Sequence, residues 1–173
     1  MRKSTFKVGD TVFYPSAGVG VIESIEDVYF SGQRESCFVI RILENQMVIK
    51  LPQANIEKNG LRPLLQGKKL KELFKVLSSE SLSRTSTNWT EHYKYLEHKI
   101  KGGSCLELGE VVRDLTRSKR LNGLSFEEAR LLETASNYLT REVATVQGVP
   151  PEIALDHIRT YINVNYDASV VGE

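Results

Sequence analysis

The chain has 173 residues, 40% of them hydrophobic and 26% charged, a composition that suits one good core or two small ones and excludes disorder as the default. No apolar run reaches the roughly 18 residues needed to span a bilayer, and Met1-Arg2-Lys3-Ser4-Thr5 lacks the hydrophobic segment of a secretion signal, so a cytoplasmic protein is expected. The net charge of +1 hides an uneven distribution: residues 1–66 carry eight Lys/Arg against seven Asp/Glu, residues 67–101 eight against four, and residues 102–173 seven against eleven, which suggests a polyanion contact confined to one face.

The first third is rich in β-branched and aromatic residues. Asp10 to Tyr14, Val19 to Ile25 and Cys37 to Leu43 are short strand-like runs, broken by turn signals at Pro15-Ser16-Ala17-Gly18, Ser31-Gly32 and Glu44-Asn45. A further run, Met47 to Leu51, is stopped by Pro52. Four or five short strands in about 60 residues bury a common interior only by curling into a small antiparallel barrel.

From Gly67 the period changes. Leu70, Leu73, Phe74 and Leu77 recur at helical spacing, while Lys68, Lys69, Lys71 and Lys75 lie mostly on the other face, where a solvated surface and an anion contact are both open readings. A polar linker, Ser78 to Thr87, contains Arg84 and leads into Asn88-Trp89-Thr90-Glu91-His92-Tyr93-Lys94. Asn88 can cap a helix there, with Glu91 at capping-box spacing, so the only tryptophan falls at the first helical position. A first-turn side chain points back past the helix start and is only partly covered by the helix behind it. Packing under a loop or at a domain interface is the plain alternative for Trp89. Tyr93, Leu96 and Ile100 continue the stripe to Gly102-Gly103.

Ser104 with Glu107 and Ser125 with Glu128 carry capping-box spacing and open two more helices, with stripes through Leu108, Val111, Val112 and Leu115, then Leu131, Leu132, Ala135, Tyr138 and Leu139. Pro150-Pro151 precedes a last helix with Ile153, Leu155, Ile158 and Ile162, and a loose tail is expected from Asn165. We therefore expect two domains, residues 1–66 and residues 67–173, in an α+β arrangement: a small antiparallel β-barrel followed by a compact all-α bundle of about five helices.

Catalytic signatures are absent. There is no GxSxG, GxxxxGK[ST] or HExxH, and Gly18-Val19-Gly20 is a lone GxG between strands. Cys37 and Cys105 lack CxxC spacing and read as small core residues in a reducing compartment, while His92 and His98 fall nearly on opposite faces of one helix. Neither metal nor cofactor is expected, and a binding module fits better than an enzyme, which would need a pocket of perturbed titratable groups.

Phe6 to Pro15, Gly18-Val19-Gly20, the Ile40 to Asn45 hairpin, Val48 to Pro52 and Gly60-Leu61-Arg62 together resemble the RNA polymerase-interacting domain of the bacterial CarD/CdnL regulators, a domain shared with transcription-repair coupling factor. Thr87-Asn88-Trp89 with Tyr93-Lys94, Glu110 to Leu115 and Gly123-Leu124-Ser125 resemble the helical DNA-binding domain of CarD/CdnL, which the coupling factor lacks. The resemblance runs from about Phe6 to Ile162.

It implies a Tudor/SH3-like barrel that docks on the RNA polymerase β subunit by pairing an edge strand with the partner. The matching residues here are Met47, Ile49, Lys50 and Pro52, with Arg41 on the neighbouring strand; charges at an edge also guard against aggregation. It also implies that Trp89 wedges into the minor groove of promoter DNA at the upstream edge of the bubble, with Thr90, His92, Lys94 and Arg84 as neighbouring DNA contacts. The family often carries two arginines where this chain has Glu91 and His92, so weaker DNA binding is expected, with Lys68, Lys69 and Arg113 as possible substitutes. The expectation is a monomeric transcription regulator with low sequence specificity that stabilises the open complex and is associated with the nucleoid through polymerase. The alternative is a polymerase-binding adaptor without direct DNA contact.

Overall fold

The computed structural model describes residues 6–80, 88–102 and 104–164. The chain forms two compact units, Met1–Leu64 and Leu65–Glu173.

In the first unit, β1 (Thr11–Tyr14), β2 (Gly18–Phe30), β3 (Gln33–Ile42), β4 (Val48–Pro52) and β5 (Arg62–Pro63) make one sheet in the order β4-β3-β2-β1-β5, with every neighbouring pair antiparallel. A 3-10 turn, Gln53–Asn55, and the single-turn helix α1 (Ile56–Asn59) connect β4 to β5. The sheet closes over Val12, Ile22, Phe38, Ile40, Ile42 and Leu51, with Ile56 and Leu61 completing the interior. Gly20 is required where β2 crosses β3: a Cβ there would lie 2.7 Å from Ile40 Cγ2 and 3.0 Å from the Arg41 carbonyl.

The β2–β3 hairpin is longer than its sequence pattern indicates. Strand pairing runs to Phe30↔Gln33 through a two-residue turn in which Ser31 and Gly32 both take positive φ (50° and 80°), the geometry of the tight hairpin turn whose twist matches that of the strands. Beyond Ile25 almost all residues of β2 are exposed, so the apolar alternation that marks a strand is lost although the hydrogen-bonded ladder continues. A register shift between Ile22 and Ser24 marks where β2 leaves the packed interior.

The second unit is the expected α bundle, with five helices among the described residues: α2 (Gly67–Ser78), α3 (Trp89–Gly102), α4 (Cys105–Leu121), α5 (Phe126–Gln147) and α6 (Pro151–Val164). Local chemistry sets their starts. Ser104 and Glu107 form a full capping box, Ser125 Oγ accepts from Glu128 N, and Pro151 supplies the first residue of α6, where a missing N–H costs nothing. Gly148 ends α5 in the left-handed conformation.

Leu73, Leu77, Leu96, Leu108, Leu139 and Ile158 belong to one core, and α4 packs against α2, α3 and α5. Gly109 lets α2 and α4 approach closely, since a Cβ there would meet Leu73 Cδ1 at 2.6 Å. Two buried charged side chains of this core, Glu142 and Arg117, bond backbone groups. Glu142 on α5, fully buried, accepts from Leu65 N at 3.0 Å, and Arg117 on α4 donates to the carbonyls of Ser79, Leu77 and Ile162 at 2.6, 3.2 and 3.1 Å. Cys37 and Cys105 are buried free thiols, one in each unit.

Candidate functional site

Two surfaces hold most of the residues singled out by the sequence. The first is the start of α3. Asn88 Oδ1 accepts from Thr90 N at 2.9 Å and Glu91 N at 3.4 Å, and its carbonyl accepts the first helical bond from His92 N. The cap satisfies donors that a helix otherwise leaves open and places Trp89 first in the helix. Glu91 in this first turn also complements the helix dipole.

Burial along α3 is graded. Ile100 and Leu96 are in the core, Tyr93 is half-buried, and Trp89, on the same face and one turn nearer the end, is 43% exposed. Its indole stacks on the Tyr93 ring, with centroids 5.4 Å apart and planes 22° from parallel. That stack supports one face of the indole and restricts it at little entropic cost. Thr90 and Lys94 are exposed on a neighbouring strip of α3, four residues apart, and His92 is half-buried. Arg84 lies outside the described residues. The structure thus gathers Trp89, Thr90, His92 and Lys94 on the first two turns of one helix.

The helix is held to α4 by Lys99, which bonds Glu110 and lies 4.7 Å above the Tyr95 ring. Burial disfavours the Lys99 ammonium, but its hydrogen bonds to Glu110 and Tyr95 outweigh that penalty and hold its pKa above the ordinary lysine value.

Arg113 does not serve as a spare phosphate contact. It is 2% exposed, with Nε on Asp114 Oδ1 and Nη1 on the Val76 carbonyl, both at 2.8 Å. Its charge belongs to the packing of α4 against α2. By contrast Lys68 and Lys69 are exposed on α2.

The second surface is the β4 edge. Among the described residues β4 pairs with β3 alone, so its far side is an open strand edge there. Lys50 projects from the outer face and reaches across β3 to Glu26 on β2, at 3.1 Å. Arg41 on β3 makes a two-pronged contact with Glu23 on β2, Nη2 to Oε2 at 3.2 Å and Nε to the other oxygen. The Arg41 hydrogen bond holds the Glu23 carboxyl below its usual range, and Glu23 in turn raises the guanidinium pKa. These pairs are solvated and contribute little stability; they set a strip of alternating charge beside the edge, each cation next to its own carboxylate.

Met47 is 45% exposed ahead of β4, its amide bonded to Asn45 Oδ1, and Pro52 is half-buried at the far end. Ile49 points the other way, packed against the sheet interior, so any docking role for it belongs to its backbone. Three features lay beyond the sequence reading: Tyr93 as ring partner of Trp89, signalled only by four-residue spacing, and Glu23 and Glu26 as partners of Arg41 and Lys50.

Among the described residues no group of three or more His, Cys, Asp or Glu could hold a metal ion, and no helix is long and apolar enough to cross a membrane.

Known proteins resemble both units. The CarD-like/TRCF RID domain matches residues 6–65, and the CarD C-terminal domain matches residues 72–159. A Bacillus subtilis (strain 168) protein named "Putative transcription factor YdeB" is 32% identical over 144 residues, which cover 83% of this chain and 94% of that protein. The solved structure of CdnLNt from Myxococcus xanthus is 40% identical, covering 39% of this chain and 94% of its own, with a TM-score of 0.32. An RNA polymerase-interacting domain in the strands, followed by a CarD C-terminal domain in the helices, makes this chain a member of the CarD/CdnL family of transcription factors.

Proposed function

We propose that the protein bridges the β subunit of RNA polymerase and promoter DNA, with Trp89 as a minor-groove wedge at the upstream edge of the bubble, and so stabilises the open complex. The observation that carries this reading is the indole itself: large, apolar, 43% exposed, and held against Tyr93 at the capped start of a helix. Inserting such a group into intact duplex costs a few kcal/mol of unstacking, a cost already partly met at the fork of a melted promoter. The wedge therefore prefers open DNA, and a preference of about 1.4 kcal/mol raises the open-to-closed ratio tenfold with no chemical step.

The β4 edge supports the polymerase half of the reading. An added strand from the partner would take main-chain hydrogen bonds from β4, while Lys50 and Arg41 supply charge beside it. Tethering there raises the local concentration of the helical unit at the promoter, so a weak DNA contact suffices and one copy of the chain serves both partners. Thr90, His92 and Lys94 would meet sugar and phosphate, and the degenerate minor-groove pattern keeps sequence specificity low.

The test is open-complex lifetime on a promoter with an unstable bubble, with cognate polymerase and either parent or Trp89→Ala. We expect a longer lifetime with the parent and loss of most of that effect in the variant, with polymerase affinity retained. Equal lifetimes for the two proteins would reject the wedge and leave a polymerase-binding adaptor.

A further inference from the structure

The exposed face of α2 is a charged surface that the Trp89 contact does not use. Lys68, Lys71 and Lys75 recur at three- and four-residue spacing along one side of the helix, all exposed, with Lys69 on the flank and one exposed carboxylate, Glu72, four residues after Lys68 and three before Lys75. Among the described residues none of the four has an ion pair, which is equally true of Lys58, Lys94 and Lys119; what sets this face apart is four lysines within eight residues of one helix.

The lysines are also placed against local preference. The first turn of α2 has no acidic residue and carries Lys68 and Lys69 against the positive pole of the helix, while α3, α4, α5 and α6 all place a glutamate there. A stretch that breaks a local stability rule without repayment inside the folded chain points to a partner outside it.

The frame beneath the lysines is fixed. Arg113 and Arg117 of α4 hold the last carbonyls of α2, and Phe74, on the border of the stripe, stacks on Tyr161 of α6 with ring centroids 4.4 Å apart. At 1.5 Å per residue, Lys68 and Lys75 stand about 10 Å apart along the axis, about three phosphate-to-phosphate steps of one DNA strand measured along the duplex axis. A protein partner would call for an apolar centre with few lysines; this face offers separated point charges, the pattern suited to a phosphate backbone.

We propose that the Lys68, Lys71 and Lys75 face of α2 is a second DNA contact, which binds backbone phosphates of the duplex independently of the Trp89 wedge. It rests on the reading that the helical unit meets promoter DNA. It also supplies the positive charge that Glu91 and His92 do not provide beside the tryptophan.

The experiment measures affinity of the full chain for a 30-base-pair duplex and for a fork-junction probe over a range of salt concentrations. The proteins are the parent, the triple variant Lys68→Gln, Lys71→Gln, Lys75→Gln, the corresponding triple Lys→Arg variant, and Trp89→Ala. Each phosphate contact contributes about 0.9 to the slope of log K against log salt, so the Gln variant should lose roughly 2 to 3 from the slope on both probes. The Arg variant should restore it, and the ratio of fork to duplex affinity should stay as in the parent. Trp89→Ala should do the reverse, lowering that ratio and keeping the slope.

An unchanged slope in the Gln variant overturns the α2 contact and leaves the wedge standing. An unchanged ratio in Trp89→Ala, with the slope lost in the Gln variant, overturns the wedge and leaves α2. Loss of polymerase affinity in the Gln variant without loss of DNA affinity would assign the face to an acidic protein surface and refute the proposal, as would no measurable DNA affinity in the parent.

Discussion

Replacing Arg117 with alanine tests whether one buried guanidinium holds the helical unit together. Arg117 is 7% exposed and donates to the carbonyls of Leu77, Ser79 and Ile162, so it joins the C-terminal ends of α2 and α6 to α4. Ser79 is exposed and its carbonyl can turn to water, but Leu77 and Ile162 are buried. Each buried acceptor left unsatisfied costs about 1 to 3 kcal/mol, or about 2 to 6 for the two. Relief of the buried charge's own desolvation returns part of this. We expect a net loss of about 3 kcal/mol. Urea unfolding followed by the fluorescence of Trp89, the only tryptophan and a residue of the same unit, reads that loss directly. With a urea dependence of about 1.5 kcal/mol/M the midpoint should fall by about 2 M. Arg117→Met, which restores volume without donors, should recover part of the loss. A cost below about 1 kcal/mol for Arg117→Ala would show that these carbonyls do not depend on Arg117.

Removing the α3 cap with Asn88→Ala should cost about 1 kcal/mol and free the first turn, seen as faster amide exchange at Thr90 and Glu91 and easier quenching of Trp89; Asn88→Asp should be close to neutral. Lys50→Glu places a second carboxylate beside Glu26 and reverses the charge of the β4 edge, so polymerase affinity should fall in a pull-down or titration while thermal stability stays nearly unchanged. Because the folded-state pKa of Glu23 is depressed by Arg41, the stability from this pair is present above the ordinary carboxylate pKa, about 4.3, and is lost as pH falls through the folded value. An NMR titration should therefore find Glu23 below the ordinary value in the parent and shifted back up in Arg41→Gln.

Much of the fold was legible because it is written locally. Ser31-Gly32 marks a hairpin turn, Gly67 marks a change of period, and Asn88, Ser104 and Ser125 sit where helices begin, each acting on atoms within four residues of itself. The exposed half of the β2–β3 hairpin was not legible, since a ladder with solvent on both faces imposes no pattern on its side chains. Among the candidate site residues, Trp89 at the first helical position follows from its cap, whereas Lys50 on an edge strand was implied by the family resemblance alone, since a strand stopped by Pro52 does not say which strands pair with it.

Sequence alone determined the order of strands and helices, the α+β class, and the family through motifs in both halves. The tertiary structure decided which charges are available at the surface. Arg113 is a possible DNA contact in the sequence, yet the packing of α4 on α2 buries it against the Val76 carbonyl, 37 residues earlier. Lys50 and Arg41 acquire Glu26 and Glu23 only when β2 folds beside β3, and Ile49 turns inward because the sheet closes over it. Caps, turns and periods act over a few residues and survive in the one-dimensional string. Burial and charge pairing depend on neighbours about 20 to 40 residues away along the chain, whose approach is set only when each unit folds on its own core.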